Sequence, residues 1–264
     1  MDADRYTRFE REIAVWAKQH PDVTGLVAVG AGARQSHSPD EWSDHDLWVI
    51  ALPRRAEGLR DGSWVPDPDR VALRYRESRH GTNVIYEDGH LVEFAVFEPE
   101  ELVEARVNDY RVLLGGDALE GRLEGIAAAT TAESHDRAND GALFGRFVGR
   151  LVIGVSRFGR GEYLSADVMV RSGALDALLH MAVNSIPPAD TILLDNLDRS
   201  RRFERTHPAL AMRLRDALSL PLLDTANELL TIADEALSER APGFSADAIT
   251  ATRRLISRAS AADR

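Results

Sequence analysis

TGLVAVGAGARQSHSPDEWSDHDLWVIAL, residues 24–52, decides the fold. An apolar run through Val27 and Val29 stops at Gly30, and a second, Leu47 to Leu52, begins just after Asp44-His45-Asp46. The pattern predicts a strand, a glycine-rich turn, a short helix or loop, and a second strand. Residues two apart on a strand point to the same side, so Asp44 and Asp46 are expected to share one face, with His45 opposite. Like charges that close repel unless a cation sits between them, and oxygen ligands of this kind select a hard divalent ion. In the preceding turn Gly30 and Gly32 can take backbone angles closed to other residues. Such turns aim consecutive amides at one point, as phosphate-holding loops do, and Arg34 adds a charged donor for the same anion. Singly, Gly-Ala-Gly-Ala is a tight turn and Asp-x-Asp a solvated turn acid. In this order they describe a phosphate cradle followed by a cation clamp, and a nucleoside triphosphate with magnesium needs both.

Two stretches, Gly30-Ala31-Gly32-Ala33-Arg34 and Ser43-Asp44-His45-Asp46-Leu47, resemble the motif of the polymerase-beta-like nucleotidyltransferase superfamily. Within it the chain is most similar to the antibiotic-modifying members of the streptomycin 6-adenylyltransferase type. The resemblance implies that Gly30, Ala31, Gly32, Arg34 and Ser43 contact the nucleotide, that Asp44 and Asp46 hold Mg²⁺, and that ATP is the default co-substrate. The family usually carries Ser where this chain has Ala31, and that hydroxyl binds a triphosphate oxygen; the backbone amides do not depend on it. A third carboxylate is implied at Glu93, in Val92-Glu93-Phe94 ahead of Glu98-Pro99, with Glu in place of the usual Asp. Glu93 is also the lone acid of an apolar strand, where an unpaired buried carboxylate is costly; the alternative is an edge strand with a solvated Glu. In the second half, Arg160-Gly161-Glu162-Tyr163 is similar to an Arg-Gly-Glu of the antibiotic nucleotidyltransferases. There Glu162 is the candidate base for the acceptor hydroxyl, with Asp167 as the alternative. Equally, an acid in a first helical turn is favoured by the helix dipole.

The implied fold is α+β: an N-terminal nucleotidyltransferase mixed sheet flanked by helices over residues 1–130, then a helical bundle over 131–264. The implied activity is transfer of a nucleoside monophosphate, AMP from ATP, to a hydroxyl of a small acceptor such as an aminoglycoside. Two other classes stay open. One is a catalytically weak or inactive relative that binds nucleotide or another ligand, which Ala31 favours. The other is a nucleotidyltransferase acting on a protein or a tRNA end.

The rest of the chain is read from pattern. Arg5 to Gln19 has a helical period through Phe9, Ile13, Trp16 and Ala17, stopped at Pro21. Residues 70–79 hint at a strand, and Thr82 to Glu98 is a hairpin around Glu87-Asp88-Gly89-His90. A helix is expected from Pro99 to Asn108, a strand from Tyr110 to Leu114, and a connecting segment to about Glu133. From Ser134 the periodicity is helical. Phe144, Phe147, Leu151, Val155 and Phe158 line one face, and Leu164, Val168, Leu175, Leu178, Leu179 and Ala182 the next. Further helices are expected at 198–206, 208–218, 222–238 and 245–258, with a frayed tail from Ala259. His180 is expected in the core, Trp42 and Trp48 as packing residues, with base stacking an alternative for Trp42, and Arg199 to Arg205 as a solvated helix face.

At 264 residues the chain can bury a sizeable core, and its 44% hydrophobic content is that of a globular protein. There is no cysteine, hence no disulfide or thiolate site. No apolar run reaches the roughly 20 residues of a membrane helix, and the acidic Met1-Asp2-Ala3-Asp4 is unlike a secretory signal, so a cytoplasmic location is expected. A net charge of −11 disfavours broad nucleic-acid binding and suits a cationic small acceptor, though solubility alone is the simpler cause of it. Oligomeric state has no signature here.

Overall fold

Residues 3–33, 39–138 and 141–262 are described in a computed structural model. They divide into two units, Met1–Thr131 and Ala132–Arg264. The first holds a six-stranded mixed sheet with flanking helices, and the second is helical.

Helix α1, Ala3–Gln19, buries Phe9, Ile13 and Ala17 at the helical spacing, and Trp16 stacks on Trp64 at 4.2 Å. Strand β1, Val23–Val29, follows, then a single 3₁₀ turn, Gly30–Gly32, and strand β2, His45–Ala51. Strands β3 (Val71–Arg76), β4 (Gly81–Tyr86), β5 (Leu91–Phe97) and β6 (Tyr110–Leu114) complete the sheet. Its order is β3-β4-β5-β2-β1-β6. Among the described pairs, β2 runs parallel to β5 and the others are antiparallel.

Alternation assigns each strand two faces. Leu26, Ala28, Leu47, Val49, Val84, Val92, Phe94 and Val96 pack with α1. Val27, Trp48, Ile50 and Phe97 pack on the other side with Leu102, Val107 and Leu123. Arg60 lies buried at the far end of β5. It donates to the Val96 carbonyl at 3.2 Å and to Glu101 at 2.6 Å, which fixes the segment after the strand.

That segment differs from expectation. The helix expected at Pro99 to Asn108 is a 3₁₀ run, Pro99–Glu104, opened by a capping box between Glu98 and Glu101. Such runs stay short because their hydrogen-bond geometry is poorer than an α-helix's. The backbone turns extended at Ala105, and the Val107 N–H donates to Thr130 Oγ1 at 3.2 Å instead of a helical carbonyl. The expected connecting segment, in turn, is helix α2, Asp117–Ala138, and the division between the two units falls inside it. Its alanines give it helix propensity, and Leu119, Leu123, Ile126 and Ala127 pack one side of it on the cluster of Val27, Trp48 and Ile50.

In the second unit α3, Leu143–Phe158, buries Phe144, Phe147, Leu151 and Val155 as expected, each large side chain contributing about 1.5–3 kcal/mol of burial. The next helical stretch comprises α4 (Tyr163–Asp167), a π-helical segment (Val168–Ala174) and α5 (Leu175–Ser185). Here the first two positions of the expected face are corrected: Leu164 is 88% exposed and Val168 is exposed. Leu175 and Leu179 pack against the core as expected, and Ala166, Val170, Ala174, Leu178 and Ala182 are buried. Those five are spaced by four, wider than the 3.6 of an α-helix. The wide π turn keeps them on one side, where the backbone closes on Gly154.

Helices α6 (Phe203–Thr206), α7 (Pro208–Leu218), α8 (Leu222–Leu237) and α9 (Ala246–Ala262) follow. The helix expected at 198–206 is only its last turn, and the tail expected to fray is helical to Ala262. Arg199 is not on a solvated helix face; it is half-buried and donates to the Ser134 carbonyl at 2.9 Å and to Asn184. His180 is half-exposed beside Asp176, at 3.7 Å, rather than in the core. No helix among the described residues is long and apolar enough to cross a membrane.

Candidate active site

Strand register builds the site. Asp46 on β2 lies opposite Glu93 on β5, and cross-strand partners present their side chains on the same face. Asp44 precedes β2 by one residue. One ligand oxygen from each of Asp44, Asp46 and Glu93 falls within 4.8 Å of the others, all three residues half-buried. Glu93 is not on an edge: β5 lies between β4 and β2. The donor set is three carboxylates and nothing softer, which fits a hard divalent cation.

The glycine turn abuts this group. Gly30 has φ +55°, left-handed backbone that side chains other than glycine's disfavour. A methyl placed there would overlap the Asp46 carboxylate, with Cγ only 2.8 Å away. Gly30 is exposed, while Ala31 and Gly32 are buried, so of the three turn residues Gly30 is the one open to a ligand. Arg111 holds the turn from behind: its Nε donates to the Gly32 carbonyl at 3.1 Å, and its guanidinium forks onto Glu10 at 3.2 and 2.6 Å.

Ser43 closes the turn that delivers Asp44. Its Oγ donates to Asp40 Oδ1 at 3.0 Å and accepts the Asp40 N–H at 2.9 Å, while the Trp42 N–H donates to the same carboxylate at 3.0 Å. Trp42 does not pack; it is 85% exposed on this turn. Trp48 is buried against Phe97. Arg34, singled out in the sequence, lies outside the described residues.

On the opposite face, His45 is buried, as its place between the two aspartates predicts. Its ring stacks on Tyr6 at 3.7 Å, and its Nε2–H donates to the Tyr6 carbonyl at 3.2 Å. That tautomer, assigned from the network, leaves Nδ1 to accept from His90 Nε2 at 2.8 Å. Burial, with His90 alongside, lowers the His45 pKa to about 3, and burial lowers that of His90 to about 4. Burial also pushes the Tyr6 hydroxyl up, reinforced by Glu10, Asp46 and Asp44. These buried rings lie on the face of β2 opposite the acidic pair.

Asn83, which no sequence signal marked, belongs to the site. It faces Glu93 across β4 and β5, and its Nδ2 donates to Glu93 Oε1 at 2.9 Å. Tyr6, His90 and Arg111 were likewise invisible in the sequence, since their roles come from packing between distant segments.

Glu162 immediately precedes α4 in the second unit. It is exposed and ion-paired with Arg160 at 2.8 Å, which lowers its pKa. A depressed pKa makes a weaker base. Asp167 is paired with Arg171 at 2.8 Å.

No protein-family model matches the sequence, and no curated protein matches it either. Among solved structures, the chain is similar to an aminoglycoside 6-adenyltransferase from Bacillus subtilis: 11% identity, 96% of this chain and 97% of that one covered, TM-score 0.36. It is also similar to a nucleotidyltransferase-like protein from Exiguobacterium sibiricum, with 17% identity, 88% and 78% coverage and TM-score 0.31. A third is a STING-associated CdnE c-di-GMP synthase from Capnocytophaga granulosa, with 12% identity, 98% and 81% coverage and TM-score 0.27. No residue role passes from them to this chain.

Proposed function

We propose that this chain is a magnesium-dependent nucleotidyltransferase that moves a nucleoside monophosphate, AMP from ATP, onto a hydroxyl of a small cationic acceptor. The observation that carries the proposal is the meeting of Asp44, Asp46 and Glu93 beside an exposed left-handed glycine. Three carboxylates that close serve no packing purpose and repel one another. With a glycine turn at their side, they suit a cation bound together with a phosphate chain.

In this reading Asp44, Asp46 and Glu93 hold the Mg²⁺. Bound magnesium would neutralise triphosphate charge and favour the in-line displacement. Gly30 lets the chain approach the phosphates without a side chain in the way. The acceptor oxygen forms a bond to the α-phosphorus, the bond from that phosphorus to the pyrophosphate oxygen breaks, and the hydroxyl proton passes to a carboxylate. Glu162 is the proposed recipient, and for that it must part from Arg160. The net charge of −11 favours a cationic acceptor by long-range attraction.

A second reading is a catalytically weak nucleotide-binding relative. It is favoured by Ala31, whose buried methyl offers the turn no hydroxyl. The deciding experiment incubates the full chain with magnesium and α-labelled ATP against a panel of aminoglycosides. The transferase reading expects labelled acceptor and pyrophosphate, with Asp46→Asn lowering turnover by about 100-fold or more. Nucleotide binding without product would establish the second reading. Undiminished turnover by the Asp46→Asn protein would remove the assignment.

A further inference from the structure

One cross-sheet row connects Tyr75 on β3, Asn83 on β4, Glu93 on β5 and Asp46 on β2. Each is the register partner of the next, so their side chains emerge on a single face. Asn83 sits in the middle of this row and is only 5% exposed. Its Nδ2 lies 2.9 Å from Glu93 Oε1, 2.6 Å from Glu77 Oε2 and 2.9 Å from the Tyr75 hydroxyl oxygen. Two N–H groups are thus shared among three oxygens. Among the described residues, Asn83 is the one hydrogen-bond donor to the Glu93 carboxylate.

We propose that Asn83 is a positioning residue for the metal site, fixing the Glu93 carboxylate so that its remaining lone pairs face Asp44 and Asp46. This rests on the reading of the three acids as a cation site. The physical case is one of freedom. Glu has three rotatable side-chain bonds, more than Asp, and a flexible ligand must be ordered before it can bind. An amide on the neighbouring strand tethers one oxygen without adding charge. A lysine or arginine there would neutralise the carboxylate and compete with the cation. The long arm of Glu93 is therefore accompanied by a restraint. Asp46 has a different restraint, the missing side chain at Gly30. Outer-shell partners of this kind tune metal affinity substantially when removed.

The test measures Mn²⁺ binding to the full chain by electron paramagnetic resonance, with no substrate present. Five proteins are compared with wild type: Asn83→Ala, Asn83→Ser, Glu93→Ala, the Asn83→Ala/Glu93→Ala double variant, and Asp46→Asn. Either Asn83 variant is expected to weaken Mn²⁺ by about 10-fold, and having two guards against one of them failing to fold. In the Glu93→Ala background Asn83→Ala is expected to add nothing, because its effect runs through Glu93. Wild-type affinity in the Asn83 variants overturns the proposal. So does an equal loss with and without Glu93, which a purely structural role would give. Wild-type affinity in the Asp46→Asn protein, or no Mn²⁺ bound by wild type, overturns the cation-site reading itself and this proposal with it.

Discussion

Replacing Gly30 with alanine tests whether the turn holds Asp46 in place. Two costs follow from the structure. The first is backbone strain: φ is +55°, and a left-handed alanine costs about 1–2 kcal/mol. The second is steric, because the new methyl would meet the Asp46 carboxylate, with Cγ at 2.8 Å and Cβ at 3.2 Å. The hairpin glycine Gly89 supplies the control. It has φ +81° and nothing within 4 Å of an added Cβ, so Gly89→Ala carries the strain without the collision. In a unit of this size each kcal/mol lowers Tm by about 3–5 °C. Gly89→Ala should therefore melt about 3–10 °C below wild type, and Gly30→Ala at least as far. Only Gly30→Ala should also weaken Mn²⁺, by about 10-fold or more, since the displaced carboxylate is a ligand. Circular dichroism reads the first effect and a Mn²⁺ titration the second. Wild-type Mn²⁺ affinity in the Gly30→Ala protein would refute the reasoning, because Asp46 would then not depend on the empty space at residue 30.

Acid should weaken the first unit through the two buried imidazoles. His45 and His90 have folded pKa values lowered to about 3 and about 4, against 6.5 unfolded, so the unfolded chain takes up protons first as pH falls. Their contribution is complete above pH 6.5 and is lost below it, at up to about 1.4 kcal/mol per pH unit for each ring. Urea unfolding of metal-free protein from pH 7.5 to 5 should show this slope, reduced in His90→Phe; equal slopes would count against it. In the second unit, Gly154→Ala would push a methyl to 2.6 Å from Val170 Cγ2 and should cost about 1–3 kcal/mol. Gly149→Ala, on the same helix with nothing within 4 Å, should stabilise by up to about 1 kcal/mol. Urea midpoints moving in the same direction would contradict the close approach of the π segment to α3.

Features carried by local pattern were legible in the sequence. The apolar runs and their stops gave β1, β2 and the β4–β5 hairpin, and strand alternation gave the opposite facing of His45. Features that depend on register were not. Nothing in Gly81-Thr82-Asn83 says that Asn83 will face Glu93, because strand pairing is fixed by the whole sheet. The buried face of residues 163–185 was misread at Leu164 and Val168, though not from Leu175 onward, because an α-helical period was applied across a π turn. Trp42 was expected to pack because large aromatics usually do, but the Asp40–Ser43 turn holds it out into solvent. The Ala31 methyl turns inward, a direction that spacing alone could not supply.

The energetics of the acidic group explain why so many neighbours restrain it. Full charges at 4.8 Å, the outer limit for these three oxygens, repel by about 1 kcal/mol in water and by about 3–4 kcal/mol at an effective dielectric near 20. Summed over three pairs, that is about 3–10 kcal/mol, comparable to the whole stability of a typical domain. Half-buried carboxylates fall between those limits, and left to themselves they would swing apart into solvent. Here the parallel register of β2 and β5 fixes two of the backbones, Gly30 admits the Asp46 carboxylate into the turn, and Asn83 tethers Glu93. A fold that spends stability to keep like charges together gains it back when a cation binds, because a ligand that prefers the folded state stabilises it by mass action. Preorganisation of the acids and cation-dependent stability are thus two consequences of one arrangement. Loosening the Asn83 tether should relieve repulsion in the metal-free protein and weaken the cation's hold at the same time.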